Sequence, residues 1–349
     1  PDVGAMALTG VGVCMPLIMI VTAFAAFVGF GGAPRASIFM GKGDHPSAEK
    51  TLGNCFLVQI LISVLLTVVL LIGNRDFLLA FGASENTIEY GVSYMNIYAI
   101  GTIFVQLTLG MNTFITAQGF AKTGMLSVLI GAVANIILDP IFIFGFHMGV
   151  RGAALATILS QGVSAVLVLV SLTRAETVYR LDWKQVRFHG RLLGDILRVG
   201  VPAGLQSNMY AISNILIQTA INGFGTATVA AWTAHGKVDG FFWMILGAYG
   251  ISITTFAGQN FGAQKYDRIR RSVRVCLALG FGSAVLMSVL YDGLGDRSYG
   301  LEFKMIDRHL NKFPHLPGYW NNGHWNCIPD APEEPKNPKQ ANAAAENTP

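Results

Sequence analysis

Eight apolar runs occupy most of the chain, at residues 8–33, 52–73, 91–116, 124–146, 150–172, 199–221, 228–256 and 273–291. A helix needs about 20 predominantly apolar residues to cross the hydrocarbon of a bilayer, and every run approaches or exceeds that length. The expected class is therefore all-α, a polytopic membrane bundle. One pair of runs stands out for the polar residues it holds. Residues 131–161, GAVANIILDPIFIFGFHMGVRGAALATILSQ, read as two apolar helices joined by a short turn at His147-Met148-Gly149. Positions equally far from the turn of such a hairpin share a depth, so Asp139 is expected level with Thr157, and Asn135 with Gln161. The four-residue spacing of Asn135 and Asp139, and of Thr157 and Gln161, places each pair on one helix face. An ionisable side chain in an apolar span marks a functional site.

Composition strengthens the membrane reading. Hydrophobic residues make up 52% and charged residues 13%, against about 25% charged in soluble domains. The formal charge of +4 is unevenly placed, since residues 291–349 hold six basic and eight acidic side chains. Lys and Arg gather in the loops after the first, third, fifth and seventh runs, fifteen in all, while the intervening loops hold only Arg75 and Arg151. Cytoplasmic loops carry such an excess, so these loops are expected to face the cytoplasm, with residue 1 starting outside. That use of positive charge leaves no call for nucleic acid as a partner. Of the four cysteines, Cys14, Cys55 and Cys276 sit in apolar runs, and Cys327 forms no CxxC with another. Neither disulfides nor a metal site follows. Pro1-Asp2 has no initiator Met and no signal-peptide n-region, so the sequence reads as a piece of a longer protein.

An internal repeat appears at an offset of 221, where Gly29, Ala36, Gly41, Lys50 and Cys55 correspond to Gly250, Ala257, Gly262, Arg271 and Cys276. In both copies a Gly/Ala-rich run leads to a Gly turn, a short polar segment and a basic helix start. Both copies cross in the same direction, which makes a parallel repeat about an axis normal to the membrane. The Arg-rich segment 174–198 then reads as the cytoplasmic link between two lobes.

Five stretches resemble the multidrug and toxic compound extrusion (MATE) family: GGAPRASIFMGKGDHPSAEKTLGN (31–54), NTFITAQGFAKTGM (112–125), NIILDPIFIFGFHMGVRGAALAT (135–157), VGVPAGLQSNMYAISNILIQTAINGFG (199–225) and TFAGQNFGAQKYDRIRR (255–271). The resemblance runs from about residue 4 to about residue 290. It implies a two-lobe, twelve-helix exporter of cationic amphipathic drugs, driven by exchange for protons or sodium in the cell membrane. On that pattern residues 1–173 form the N-terminal lobe (the family's helices two to six), 174–198 the linker, and 199–290 part of the C-terminal lobe (helices seven to nine). The resemblance also implies that Asn135, Asp139 and Thr157 form the cation-coupling network. The family's first helix and its helices ten to twelve have no counterpart here. Residues 291–349 hold 7 of the 13 prolines and no run long enough to span, and are expected to be an unrelated, loosely packed tail.

Other polar residues admit two readings. Gln161, Gln206, Asn208, Lys237 and Asp239 are candidates for a substrate cavity between the lobes. Each also has a structural reading: amides bond between helices, and a lysine stem snorkels to the interface. Gly41-Lys42-Gly43 is no phosphate loop, since GxxxxGK[ST] is lacking and no strand precedes it. His309, His315, His324 and Cys327 match no zinc spacing. The expected function is thus efflux by proton or sodium antiport, not enzymatic and without a cofactor, by a monomer whose partners are small cationic drugs and the lipid bilayer. Two rivals are weighed beside it. A lipid-linked oligosaccharide flippase would call for a cationic cavity, and Lys237 is the one deep cation; a truncated, non-transporting product would follow from the absent helices.

Overall fold

The computed structural model describes residues 4–174, 179–222 and 226–310, with side chains followed to residue 206 and from 239 to 289, and at scattered positions between. Among the described residues ten α-helices follow one another: α1 (Ala5–Val13), α2 (Met15–Gly41), α3 (His45–Ala80), α4 (Ile88–Ile100), α5 (Thr102–Ala117), α6 (Ala121–Pro140), α7 (Gly149–Thr173), α8 (Gly190–Asn222), α9 (Thr226–Gly262) and α10 (Tyr266–Leu310). Among the described residues six stretches are long and apolar enough to cross a membrane, α1 and α2 together forming the first. The α4–α5 pair, bent by 56°, makes a seventh. Helix α8 is 33 residues long and coincides with the remaining expected run; its side chains are described only in part, and it stands outside that count.

The bend between α4 and α5 falls at Gly101. A Cβ there would come within 2.6 Å of Ile158 Cγ2 on α7, so glycine lets the break pack directly against α7. Helix α2 lies at the centre of the bundle, packed on α3, α5, α8 and α9, while α6 and α7 form the hairpin expected from the sequence. At the turn of that hairpin His147 and Gly149 take positive φ of 55° and 56°.

Two apolar clusters make up the core. One gathers the loop end of α2 (Val28, Ala33, Ala36) with Leu52, Cys55, Met111, Phe114 and Leu172. The other joins Cys14, Leu17 and Val21 to Leu70, Leu78, Met95, Tyr98 and Val150. Between them runs a polar seam along α2. Fully buried Gln106 donates to the Val21 carbonyl at 2.8 Å, and fully buried Gln59 to Ala25 O at 3.1 Å. Side-chain amides hold helices together in this way where apolar burial gives no preference for one helix over lipid.

The segment after α7 differs from the simple link expected over 174–198. Its last nine residues already belong to α8, and residues 179–189 are docked against the bundle. Tyr179 is fully buried, its hydroxyl donating to Phe114 O at 3.3 Å while its own carbonyl accepts from Gln118 at 3.1 Å. Trp183 stacks edge-on against Phe56, and Asn54 exchanges two hydrogen bonds with the His189 backbone. Burial pushes the Tyr179 phenol above its ordinary titration range.

The chain divides into two compact units, residues 1–279 and 280–349. In the second, α10 continues to Leu310, into the stretch from 291 that was expected to be a loosely packed tail. Extending an existing helix requires no new nucleus, so a polar continuation can remain helical. The rest of the expected tail, 311–349, lies outside the described residues.

Candidate functional site

Asp139 sits one residue before Pro140, where α6 ends and a π-helical turn, Ile141–Gly145, begins. Proline supplies no N–H to the helical ladder. Directly after it the chain takes up a wider turn, in which the Phe146 N–H donates to Ile141 O at 2.9 Å. Single π turns occur often at functional sites. Asn135, one helical turn earlier, donates through Nδ2 to Asp139 Oδ1 at 3.4 Å. Both side chains are half-buried, whereas the neighbouring Ile136 and Ile137 are exposed. The polar pair and its apolar neighbours therefore lie on different faces of α6.

Across the hairpin, the Ser164 hydroxyl donates to Ser127 O at 3.0 Å, and Gly152 packs against Phe142 and Ile143. These contacts hold the antiparallel pairing to within about a helical turn of the register read from the sequence. Thr157 is half-buried on α7, but its hydroxyl donates to Ala153 O of its own helix at 2.9 Å and not to Asp139. Such back-bonding occupies the hydroxyl proton and leaves the oxygen free to accept. The Tyr94 phenol neighbours that oxygen. Tyr94 comes from α4, is only 6% exposed, and stacks on Tyr98 at 6.0 Å. Tyr94 was absent from the sequence candidates. Its sequence signal is slight: two tyrosines four apart inside an apolar run.

Gln161 anchors the next level of α7. Its backbone oxygen accepts from Thr108 at 3.1 Å, while its side-chain Oε1 is buried without a hydrogen-bond partner. Asn112 Oδ1, one turn from Thr108 on α5, is in the same condition. Asp139 and Asn135 on α6, Thr157 on α7 and Tyr94 on α4 thus offer carboxylate, carboxamide, hydroxyl and phenol oxygens, a donor set suited to a proton or a small hard cation; Asn112 Oδ1 stands apart from them, beside Gly124 near the start of α6.

The remaining cavity candidates are placed elsewhere. Gln206 is exposed on α8, and Asp239, half-buried on α9, accepts from Trp243 Nε1 at 3.0 Å. Both helices pack on α2 rather than joining the cluster around Asp139. The side chains of Asn208 and Lys237 lie outside the described residues.

The chain matches the MatE family over residues 2–141 and 202–292, so that Asn135 and Asp139 fall inside the match and Thr157 outside it. It is 27% identical over 296 residues to the probable multidrug resistance protein YoeA of Bacillus subtilis, covering 82% of this chain and 64% of that protein. It is 22% identical over 284 residues to the multidrug export protein MepA of Staphylococcus haemolyticus, covering 81% and 63%. A solved structure of a MOP superfamily transporter from Pyrococcus furiosus superimposes with a TM-score of 0.76 at 23% identity, over 82% of this chain and 64% of the other. The chain therefore spans less than two thirds of the length of these proteins.

Proposed function

Because the chain belongs to the MatE family of multidrug and toxic compound extrusion transporters, we propose that it serves the export of cationic, amphipathic compounds in exchange for protons or sodium. Its relatives carry names of multidrug resistance and export proteins, which are transporters and not enzymes. The observation that carries the coupling role is the Asn135–Asp139 pair at the start of the π turn, with Thr157 on the paired helix α7 and Tyr94 next to Thr157. A carboxyl held by one weak hydrogen bond at a break in a membrane helix can exchange its proton, or a sodium ion, without unravelling the helix around it. Ion binding there favours whichever arrangement of the helices binds the ion better, and by no more than that difference in affinity.

The experiment is uptake of a fluorescent organic cation into everted membrane vesicles containing the chain, with a proton gradient or a sodium gradient imposed separately. Accumulation driven by one gradient and abolished by its ionophore is the expected result. Equal accumulation without either gradient would refute coupled transport.

A further inference from the structure

The docked segment 179–189 has a second face. Towards the bundle it turns Tyr179 and Leu181, both buried. Between and after them Arg180, Trp183, Lys184, Arg187 and Phe188 stand exposed, and Arg191 follows in the first turn of α8, exposed as well. Trp183 and Phe188 are 60% and 59% exposed, a large apolar surface for a segment that is otherwise docked. The strap is thus apolar within, and basic and aromatic without.

Its contacts with α3 fix its level along the bundle. The Arg180 N–H donates to Glu49 Oε1 at 3.3 Å, the His189 N–H donates to Asn54 Oδ1, and the Trp183 ring meets Phe56 with centroids 5.6 Å apart. A Cβ at Gly53 would fall 2.6 Å from Gln185 O, so the strap backbone lies directly on the helix. These contacts straddle the point where α3 passes from Glu49 and Lys50 into the apolar run that opens at residue 52. Helix α3 has 36 residues, a rise of about 54 Å, against hydrocarbon about 30 Å thick. Its ends therefore project beyond the hydrocarbon. The strap lies on the basic-loop side, at the level where hydrocarbon gives way to headgroups.

Among the described residues the ion pairs are Arg35–Asp195 and Arg75–Glu89, and neither involves Arg180, Lys184, Arg187 or Arg191. The nearby acids are engaged by the strap backbone, Glu49 by the Arg180 N–H and Asp182 by the Lys184 N–H at 2.9 Å. Four cations thus face outward beside two aromatic rings. Tryptophan gathers at headgroup depth, and basic side chains at a membrane surface attract anionic lipid. We propose that the outer face of the strap binds acidic phospholipid: Arg180, Lys184, Arg187 and Arg191 hold the headgroup phosphates, while Trp183 and Phe188 enter the boundary beneath them. A soluble anionic partner would answer the charges and leave both rings in water; lipid answers both.

The test places the 349-residue chain in phosphatidylcholine vesicles that hold a minority of phosphatidylglycerol. Bromine is carried on the acyl chains either of the phosphatidylglycerol or of an equal amount of phosphatidylcholine. It quenches tryptophan fluorescence on contact, and subtracting the signal of a Trp183→Phe variant isolates Trp183. Brominated phosphatidylglycerol is expected to quench Trp183 about threefold more than the same amount of brominated phosphatidylcholine. Salt at about 1 M, where charges are screened beyond about 3 Å, should erase that preference. So should Arg180→Gln, Lys184→Gln, Arg187→Gln and Arg191→Gln together, whereas Arg180→Lys, Arg187→Lys and Arg191→Lys should keep it. Equal quenching by the two lipids would reduce the strap to an apolar contact, and quenching by neither would place Trp183 against water or a protein. Either result overturns the proposal, as does a preference untouched by salt. These three readings use the unmodified chain and Trp183→Phe alone, so they decide the matter even where the four-Gln variant does not fold. No transport is measured, which keeps the outcome independent of the efflux reading.

Discussion

At the scale of single residues, the pairing of Asn135 with Asp139 could be read from a spacing of four inside an apolar run, because helical geometry fixes which side chains are neighbours. The part of Thr157 could not. Its depth was legible, but whether its hydroxyl would turn to Asp139 or back to Ala153 depends on local competition that spacing does not record. Tyr94 reaches the site from a helix some forty residues upstream, through the packing of α4 on α7, and such tertiary neighbours leave no periodic trace. On the proposed reading Thr157→Val and Tyr94→Phe each remove one oxygen and leave the carboxyl in place. Each should lower gradient-driven uptake by about fivefold while organic-cation binding, measured separately, stays near the unmodified level. Unchanged uptake in both variants would remove these two oxygens from the ion's path.

At the scale of elements, apolar runs located the spans, but the interruptions inside them came from single residues. The 56° bend at Gly101 and the π turn after Pro140 each sit within what reads as one continuous run. Segment 179–189 was less legible still. Its charge and polarity suggest a loose connection, yet Tyr179 and Leu181 are buried in the core. Tyr179, Leu181, Trp183, Val186 and Phe188 alternate with polar and charged residues over too short a stretch to stand out beside the apolar spans, yet the two buried ones are enough to dock a strap. Tyr179→Phe keeps the ring and removes the buried hydroxyl that bonds Phe114 O. It leaves that carbonyl without this partner, so thermal unfolding in detergent should show a loss of about 1–3 kcal/mol. A variant as stable as the unmodified chain would mean that the ring alone holds the segment.

At the scale of the whole molecule, the all-helical membrane class follows from apolar length, which is why it was visible in the sequence; the placement of Lys and Arg adds an expected orientation. The repeat was visible only faintly, as five matched residues of common types. Its strength appears in the backbone, where the left-handed caps at Gly43 and Gln264 and the reciprocal close contacts of Gly41 and Gly262 recur at the same offset. Sequence identity preserved little of this because a close helix crossing constrains only the positions at the contact. The proposed account centres on the polar cluster around Asp139, whose occupancy favours one arrangement of the helices. Its central claim is that Asp139 couples ion to substrate. Asp139→Asn keeps size and a hydrogen-bonding group while removing the titratable proton, at a stability cost of about 1–3 kcal/mol at most. The decisive measurement is gradient-driven uptake of an organic cation by this variant, beside its binding of the same compound at matched expression. The account predicts retained binding with uptake collapsed to the level seen without a gradient; uptake at the unmodified rate would show that Asp139 is a structural carboxyl and not the coupling site.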